Sequence, residues 1–304
     1  MSANRRPRIS RRLPAARQPV RWSSILLALL TGLVALGCED NTKLHQQQAT
    51  ELLERLAPLI ERDTKQVRDG LPEGAKKLAS LLDDDPGADL AALQRSIKRA
   101  RAAVESLAFA KSTFFVFVGK EGTVLRSETD PDLPAGKSLY EAVPEAAKLS
   151  EKGTGLFETY GSMHGLRGAQ NGPDKQWLVG HPIKNKKGEV TGSFVTGWSL
   201  RKYAHYLEED TRRHLTKTLG EKGEKAKAIP LVYVFVVVGK DAYGAPVTPE
   251  VNAEALGKMD LLGKAKGGKL QTTVDVDGRS FILVAKPFED LGDNAGLAVM
   301  FSPV

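Results

Sequence analysis

The sequence predicts an α+β protein in which a long N-terminal helix leads into two tandem modules, each built on an antiparallel sheet. Three observations predict it. First, the runs Gln176-Trp-Leu-Val-Gly-His-Pro-Ile183 and Val190-Thr-Gly-Ser-Phe-Val-Thr-Gly-Trp-Ser-Leu200 are mostly apolar. They are joined by the polar Lys184-Asn-Lys-Lys-Gly-Glu189, which is the pattern of a hairpin. Second, the pattern returns as Phe281-Ile-Leu-Val-Ala-Lys-Pro-Phe288 followed by Gly296-Leu-Ala-Val-Met-Phe-Ser302. An upstream echo accompanies each hairpin, Phe115-Val-Phe-Val-Gly-Lys120 and Phe235-Val-Val-Val-Gly-Lys240, so the chain reads as two diverged copies of one module. Third, apolar residues at helical spacing dominate the stretch before the first strand.

With 304 residues, 41% of them hydrophobic, the chain is long enough for two domains that each bury a core. The net charge of +7 is local. Residues 1–37 carry seven arginines (Arg5, Arg6, Arg8, Arg11, Arg12, Arg17, Arg21) and no acid, which leaves 37 basic against 37 acidic residues elsewhere. The basic balance therefore gives no ground for a nucleic-acid partner. The arginines precede an uncharged run, Trp22 to Gly37, as in a secretory signal. At ~1.5 Å per helical residue this run covers roughly 24 Å, short of a ~30 Å hydrocarbon core. Ser10-Arg11-Arg12 is followed by Leu13-Pro14, which departs from a twin-arginine signal.

Five segments follow from this reading: a signal peptide over 1–37, a helical segment over 38–88, a first module over 89–219 with its leading helix, a charged linker over 220–228, and a second, smaller module over 229–304. Leu52, Leu53, Leu56, Leu59 and Ile60 place a helix in the second segment, with a kink expected at Pro58. Asp83-Asp-Asp-Pro-Gly87 closes it, read as a solvated helix end. Asp89 caps the next helix, whose buried stripe is Leu90, Leu93, Ile97, Ala100, Val104 and Leu107. Strands are expected at Thr113–Val118 and Thr123–Ser127, and a short helix around Tyr140. The glycine-rich stretch Gly153–Gly172 reads as a mobile connection or lid. Arg201–Leu219 is helical, Leu231–Val238 a strand, Pro249–Lys266 a short helix with loops, and Asp277-Gly278 the turn of a further hairpin. The chain reads as ending inside its last strand, with no second membrane span and no trailing signalling domain.

Two resemblances add to this. Ala35-Leu-Gly-Cys38 resembles the lipobox of bacterial lipoproteins, although that family usually has Leu where Ala35 stands. The resemblance implies cleavage before Cys38, the only cysteine, and acylation (palmitate-type chains) of its sulfur and new amino group. A plain signal peptide and an uncleaved anchor are the other readings. Residues 89–304, with a helix feeding Phe-Val-Phe-Val-Gly-Lys-Glu-Gly, a return strand, an excursion and a Pro-containing hairpin, resemble the Cache superfamily of PAS-like extracytoplasmic sensor domains, in its tandem (double) form. That resemblance implies a membrane-distal first module, a periplasm-facing or extracellular location and a membrane signalling protein as partner. The family's amino-acid-binding signature is not recognisable here, so it implies no ligand class. The membrane helix that normally follows in the family is not found.

Alternation puts Trp177, Val179 and His181 on one face of the first hairpin, and Phe194, Thr196 and Trp198 on one face of its partner strand. Trp177, His181, Thr196 and Trp198 are the candidate ligand-binding residues, an apolar lining with few polar anchors. Arg126, suited to a carboxylate, and Tyr140 join them from the neighbouring strand and excursion. The residues aligned in the second copy are Ile282, Lys286, Ala298 and Ser302, without aromatic character, so the ligand is expected in the first module. The competing reading of these residues is ordinary core, in an envelope lipoprotein that binds no ligand. Enzyme activity, a cofactor and a metal site are not expected. Gly-x-Ser-x-Gly and His-Glu-x-x-His are absent, His45, His164, His181, His205 and His214 are scattered, and Asp275-Val-Asp277-Gly278 fits a turn better than calcium.

Overall fold

The computed structural model describes residues 23–82, 85–151, 154–162, 175–221, 230–266 and 268–302, with side chains from residue 41 onward except at 221. The chain divides between Leu44 and His45 into two units. In the first, helix α1 (Ser23–Leu81) begins and carries the backbone of Cys38. The second holds the rest of α1 and every element after it. Among the described residues, no helix is long and apolar enough to cross a membrane.

From Ala49 to Leu78, helix α1 buries Leu52, Leu53, Leu56, Ile60, Val67, Leu71 and Ala75 at three- and four-residue spacing. It runs on through Pro58 and Pro72. Each such aliphatic side chain contributes about 1.5–3 kcal/mol by leaving water. Residues 49–78 of α1 therefore supply a continuous buried stripe. One hydrophobic core joins α1 to the inner faces of both sheets. Asp89 caps α2 (Leu90–Ala102) as expected, accepting from the Ala91 and Ala92 amides at 2.9 Å. The expected single helix breaks at Ala103, and α3 (Glu105–Phe109) is a separate turn.

The first sheet comprises β1 (Phe114–Gly119), β2 (Val124–Ser127), β3 (Phe157–Gly161), β4 (Gln176–Lys184) and β5 (Val190–Ser199), in the order β2-β1-β5-β4-β3. Helix α4 (Leu139–Ala142) and a 3-10 helix, Pro144–Ser150, lie in the excursion between β2 and β3. Helix α5 (Leu200–Glu221) leads to the second sheet. That sheet has β6 (Leu231–Val238), β7 (Asp241–Gly244), β8 (Leu270–Val276), β9 (Arg279–Pro287) and β10 (Ala295–Ser302), in the order β7-β6-β10-β9-β8. Helices α6 (Glu250–Gly257) and α7 (Leu261–Lys264) fill its excursion. Every pairing is antiparallel, and the two strand orders are the same. The expected turn at Asp277-Gly278 is present, with both residues at positive φ (48° and 75°).

Two further expectations need correction. The stretch 153–172 contains strand β3, which pairs with β4 from Phe157↔Gly180 to Gly161↔Gln176. Gly161 serves close packing there, since a Cβ on it would lie 2.3 Å from the Val143 side chain. Gly153, His164, Gly165, Gly168 and Gly172 lie outside the described residues, as do Asp83, Asp84 and most of the 220–228 linker.

The second correction concerns the register of the two copies. Trp177 faces Trp198 in the first ladder, and Ile282 faces Phe301 in the second. Phe115 faces Thr196, and Val234 faces Val299. Superposing the ladders sets Val234 on Phe115, Leu297 on Phe194 and Phe301 on Trp198. The sequence echo ran one residue later on two strands, and a one-residue slip moves every side chain to the opposite face. Ile282 and Lys286 are the counterparts of Trp177 and His181, but Ala298 and Ser302 are not those of Phe194 and Trp198. The second copy keeps an aromatic, Phe301, where the first has Trp198.

Candidate functional site

The six predicted ligand-binding residues do not converge on one cavity. Trp177, Thr196 and Trp198 sit on the inner face of the first sheet, against α1 and α5. The Trp198 ring lies between Trp177, at 4.1 Å centroid to centroid, and Tyr203 of α5, stacked at 4.4 Å. Both indoles are buried. The Thr196 hydroxyl donates to the Phe114 carbonyl at 2.7 Å, so it is occupied within the sheet. His181 is partly exposed, and its Nδ1 lies 2.9 Å from the Pro182 carbonyl oxygen. Burial depresses its pKa, the backbone contact opposes that, and Lys184 adds to the depression.

Arg126 reaches Asp132 at 3.4 Å, and the Asp132 carboxylate also accepts from the Ser127 amide at 3.0 Å. The pair clasps the loop after β2, while the buried Arg126 Nε has no hydrogen-bond partner among the described residues. Tyr140 packs with the cluster on the outer face of the sheet, where its ring covers Gly122 so closely that a Cβ would lie 2.3 Å from it. Burial pushes its hydroxyl pKa up. The excursion helices fill that outer face with Leu139, Val143, Ala146 and Leu149 over Phe114, Val116, Val118, Leu178 and Val195. Leu149 presses so near that a Cβ on Gly180 would lie 2.6 Å from it. Nothing in the sequence marked these aliphatic residues as plugging the face where the excursion was expected to cover a ligand.

Trp177 alone of the six lines a described cavity. A cleft of about 380 Å³ opens between the edge of the first sheet and the turn before β10. Glu158, Tyr160 and Trp177 form one wall; Val238, Leu291, Gly292, Asp293 and Asn294 form the other. Tyr160 faces Trp177 across the β3–β4 ladder, and its hydroxyl donates to the Leu291 carbonyl, tying the two walls together. Burial first, then Glu158, raises the Tyr160 pKa, so the hydroxyl stays a donor. Arg68 of α1 makes the deeper tie. Its Nε and Nη2 grip Glu158 at 2.7 and 2.9 Å, and Nη2 also donates to the Asp290 carbonyl at 2.9 Å. The guanidinium carbon lies 5.7 Å from the Trp177 ring centroid. The hydrogen bond to Glu158 raises the Arg68 pKa above its ordinary value, with burial opposing. Arg68, Glu158 and Tyr160 carried no signal in the sequence, because their pairing depends on which strand reaches the edge beside α1.

A scan against known protein families finds no match, and a search of curated proteins finds none either. Solved structures do match. The extracellular domain of vpHK1S-Z8, assigned as a histidine kinase, superposes with a TM-score of 0.54 at 9% identity, over 87% of this chain and 93% of that one. The two share a fold. The Campylobacter jejuni chemoreceptor Tlp1 periplasmic sensory domain gives 0.49 at 13% identity, over 86% of this chain and 95% of its own. An extracellular ligand binding receptor from Desulfohalobium retbaense DSM5692 gives 0.49 at 14%, over 83% of this chain, which spans 40% of that receptor. At these identities the likeness is one of fold. The expected α+β class is present, a long helix followed by two antiparallel five-stranded sheets.

Proposed function

We propose that this chain is a lipid-anchored, extracytoplasmic small-molecule sensor that acts through a membrane signalling partner, with its ligand at Trp177 in the cleft between the two sheets. The observation that carries the reading is the cleft itself. Its two walls come from the two sheets, and Arg68 and Tyr160 bridge them. A ligand that spreads or closes the walls shifts one sheet against the other, and that shift is a signal a partner can read. Trp177, Val238 and Leu291 suit an apolar body, while Glu158 and Asp293 suit a hydrogen-bond donor at its end. The fold shared with a histidine kinase's extracellular domain supports the location and the role, and the shared strand order supports an origin of the two modules by duplication. Acylation at Cys38 supplies the anchor in this reading, and no catalytic step is assigned.

A thermal-shift screen of the protein against small organic acids, amines and aromatic compounds tests it. The reading requires at least one compound that raises the melting temperature in proportion to the logarithm of its concentration. A broad library without any such compound counts against it. The filled outer face of the first sheet favours a second reading, a ligand-free envelope scaffold, and that outcome would support it.

A further inference from the structure

The second sheet has a cavity of its own, separate from the cleft at Trp177. It measures about 340 Å³ and lies between the first turn of α5, strand β7 and helix α6. Arg201, Asp241, Tyr243, Thr248, Glu250 and Glu254 supply its polar lining, and Ala242, Ala245 and Ala253 its apolar part. The charges are uneven: three carboxylates against one guanidinium. Arg201 donates to the Pro246 carbonyl at 3.3 Å and so braces the loop between β7 and α6. Asp241 accepts from the Tyr243 hydroxyl at 3.3 Å and pairs with Lys175 at 3.7 Å. Glu250 and Glu254 stand exposed on α6.

The telling group is Thr248. The residue is 93% buried, it lines the cavity, and Oγ1 has no hydrogen-bond partner among the described residues. A buried hydroxyl without a partner loses the hydrogen bonds that water gives it in the unfolded chain. Gly244 completes the floor, since a Cβ there would lie 3.0 Å from the Thr248 methyl. A ligand group that reaches Thr248 recovers the lost hydrogen bond. Carboxylates at the rim favour that group being cationic and repel an anion. We propose that this cavity binds a small organic ammonium compound, with its N–H donating to Thr248 Oγ1 and its charge facing Glu254 and Glu250. The alanines leave room for a short alkyl chain. The site is independent of the proposed ligand at Trp177.

Calorimetric titration of the full chain with n-butylamine, 1,4-diaminobutane and butyrate decides it. The amines are expected to bind and butyrate is not. Thr248→Val keeps the side-chain shape and is expected to weaken amine binding about tenfold, the equivalent of one hydrogen bond. Glu254→Gln, on the exposed face of α6, is expected to weaken it about threefold and to reduce its salt dependence. Asn294→Trp, which fills the other cleft, should leave amine binding unchanged, so the two sites can fail separately. Absence of amine binding at millimolar concentration would overturn the proposal. So would equal binding of butyrate, or a folded Thr248→Val and Glu254→Gln pair that both bind as tightly as the parent chain.

Discussion

Tyr203 donates its hydroxyl to the Asp63 carboxylate at 3.2 Å, in the buried seam between α5 and α1. The other carboxylate oxygen takes two hydrogen bonds from Arg62, at 2.7 and 3.0 Å. The apolar stripe of α1 is interrupted at Asp63 and Thr64, and this network satisfies the carboxylate there. Tyr203→Phe should therefore lower stability by about 1–3 kcal/mol, because a buried charged acceptor loses one donor. Urea unfolding measures it. A change within experimental error would mean that the Asp63 carboxylate is satisfied by Arg62 alone.

Trp198 was expected at a ligand and is found in core, sandwiched by Trp177 and Tyr203. Trp198→Ala should lose about 3–5 kcal/mol of stability through the cavity it leaves. Melting curves check this. A variant as stable as the parent chain would mean that the indole is not part of the packing.

Gly197 of β5 pairs with Leu178 of β4, and a Cβ there would come 2.1 Å from the Trp177 backbone carbonyl oxygen. Backbone cannot swing aside as a side-chain tip can. Gly197→Ala should destabilise the protein by about 1–3 kcal/mol, as overpacking does. Gly220→Ala, with open space around its site on α5, is the control and should change little. Equal melting temperatures for the two variants would contradict the register of β4 on β5.

His181 gives a pH signature. Burial opposes its protonation in the folded chain, so its folded pKa lies below the ordinary 6.5. The unfolded chain binds the proton more readily, so this contribution to stability is complete above that value and is lost as pH falls below it. His181→Gln lacks the contribution. The parent chain should lose more stability than His181→Gln between about pH 7.5 and pH 5, seen as a shift in urea midpoints. Glu208, whose pKa burial raises, slopes the opposite way but does so in both proteins and cancels in the comparison. Parallel pH profiles would show that His181 is solvated.

The sequence disclosed most of the architecture, because periodicity reports which residues face a core. The hairpins at β4–β5 and β8–β9, the Asp89 cap and helix α5 follow from alternation, capping chemistry and three-four spacing. Strand β3 was hidden because the glycines around it suggest flexibility, whereas Gly161 is small to admit Val143. The register of the two copies was misread because Val-rich strands look alike when slid by one residue, and only pairing across the sheet distinguishes faces. The site was the least legible part. Alternation correctly grouped Trp177, Thr196 and Trp198 on one face, but does not say whether a helix or a ligand covers that face. The Arg68–Glu158 pair joins residues far apart in sequence with no local motif.

The central claim is that a small molecule occupies the cleft walled by Trp177 and the turn before β10. Asn294 is exposed on that turn, so Asn294→Trp should close the cleft without disturbing the core. The decisive measurement is a calorimetric titration of a stabilising compound into the parent chain and into Asn294→Trp at equal folded concentration. The account predicts binding to the parent and a loss of at least about tenfold in affinity for the variant. Equal affinity for the two would contradict it.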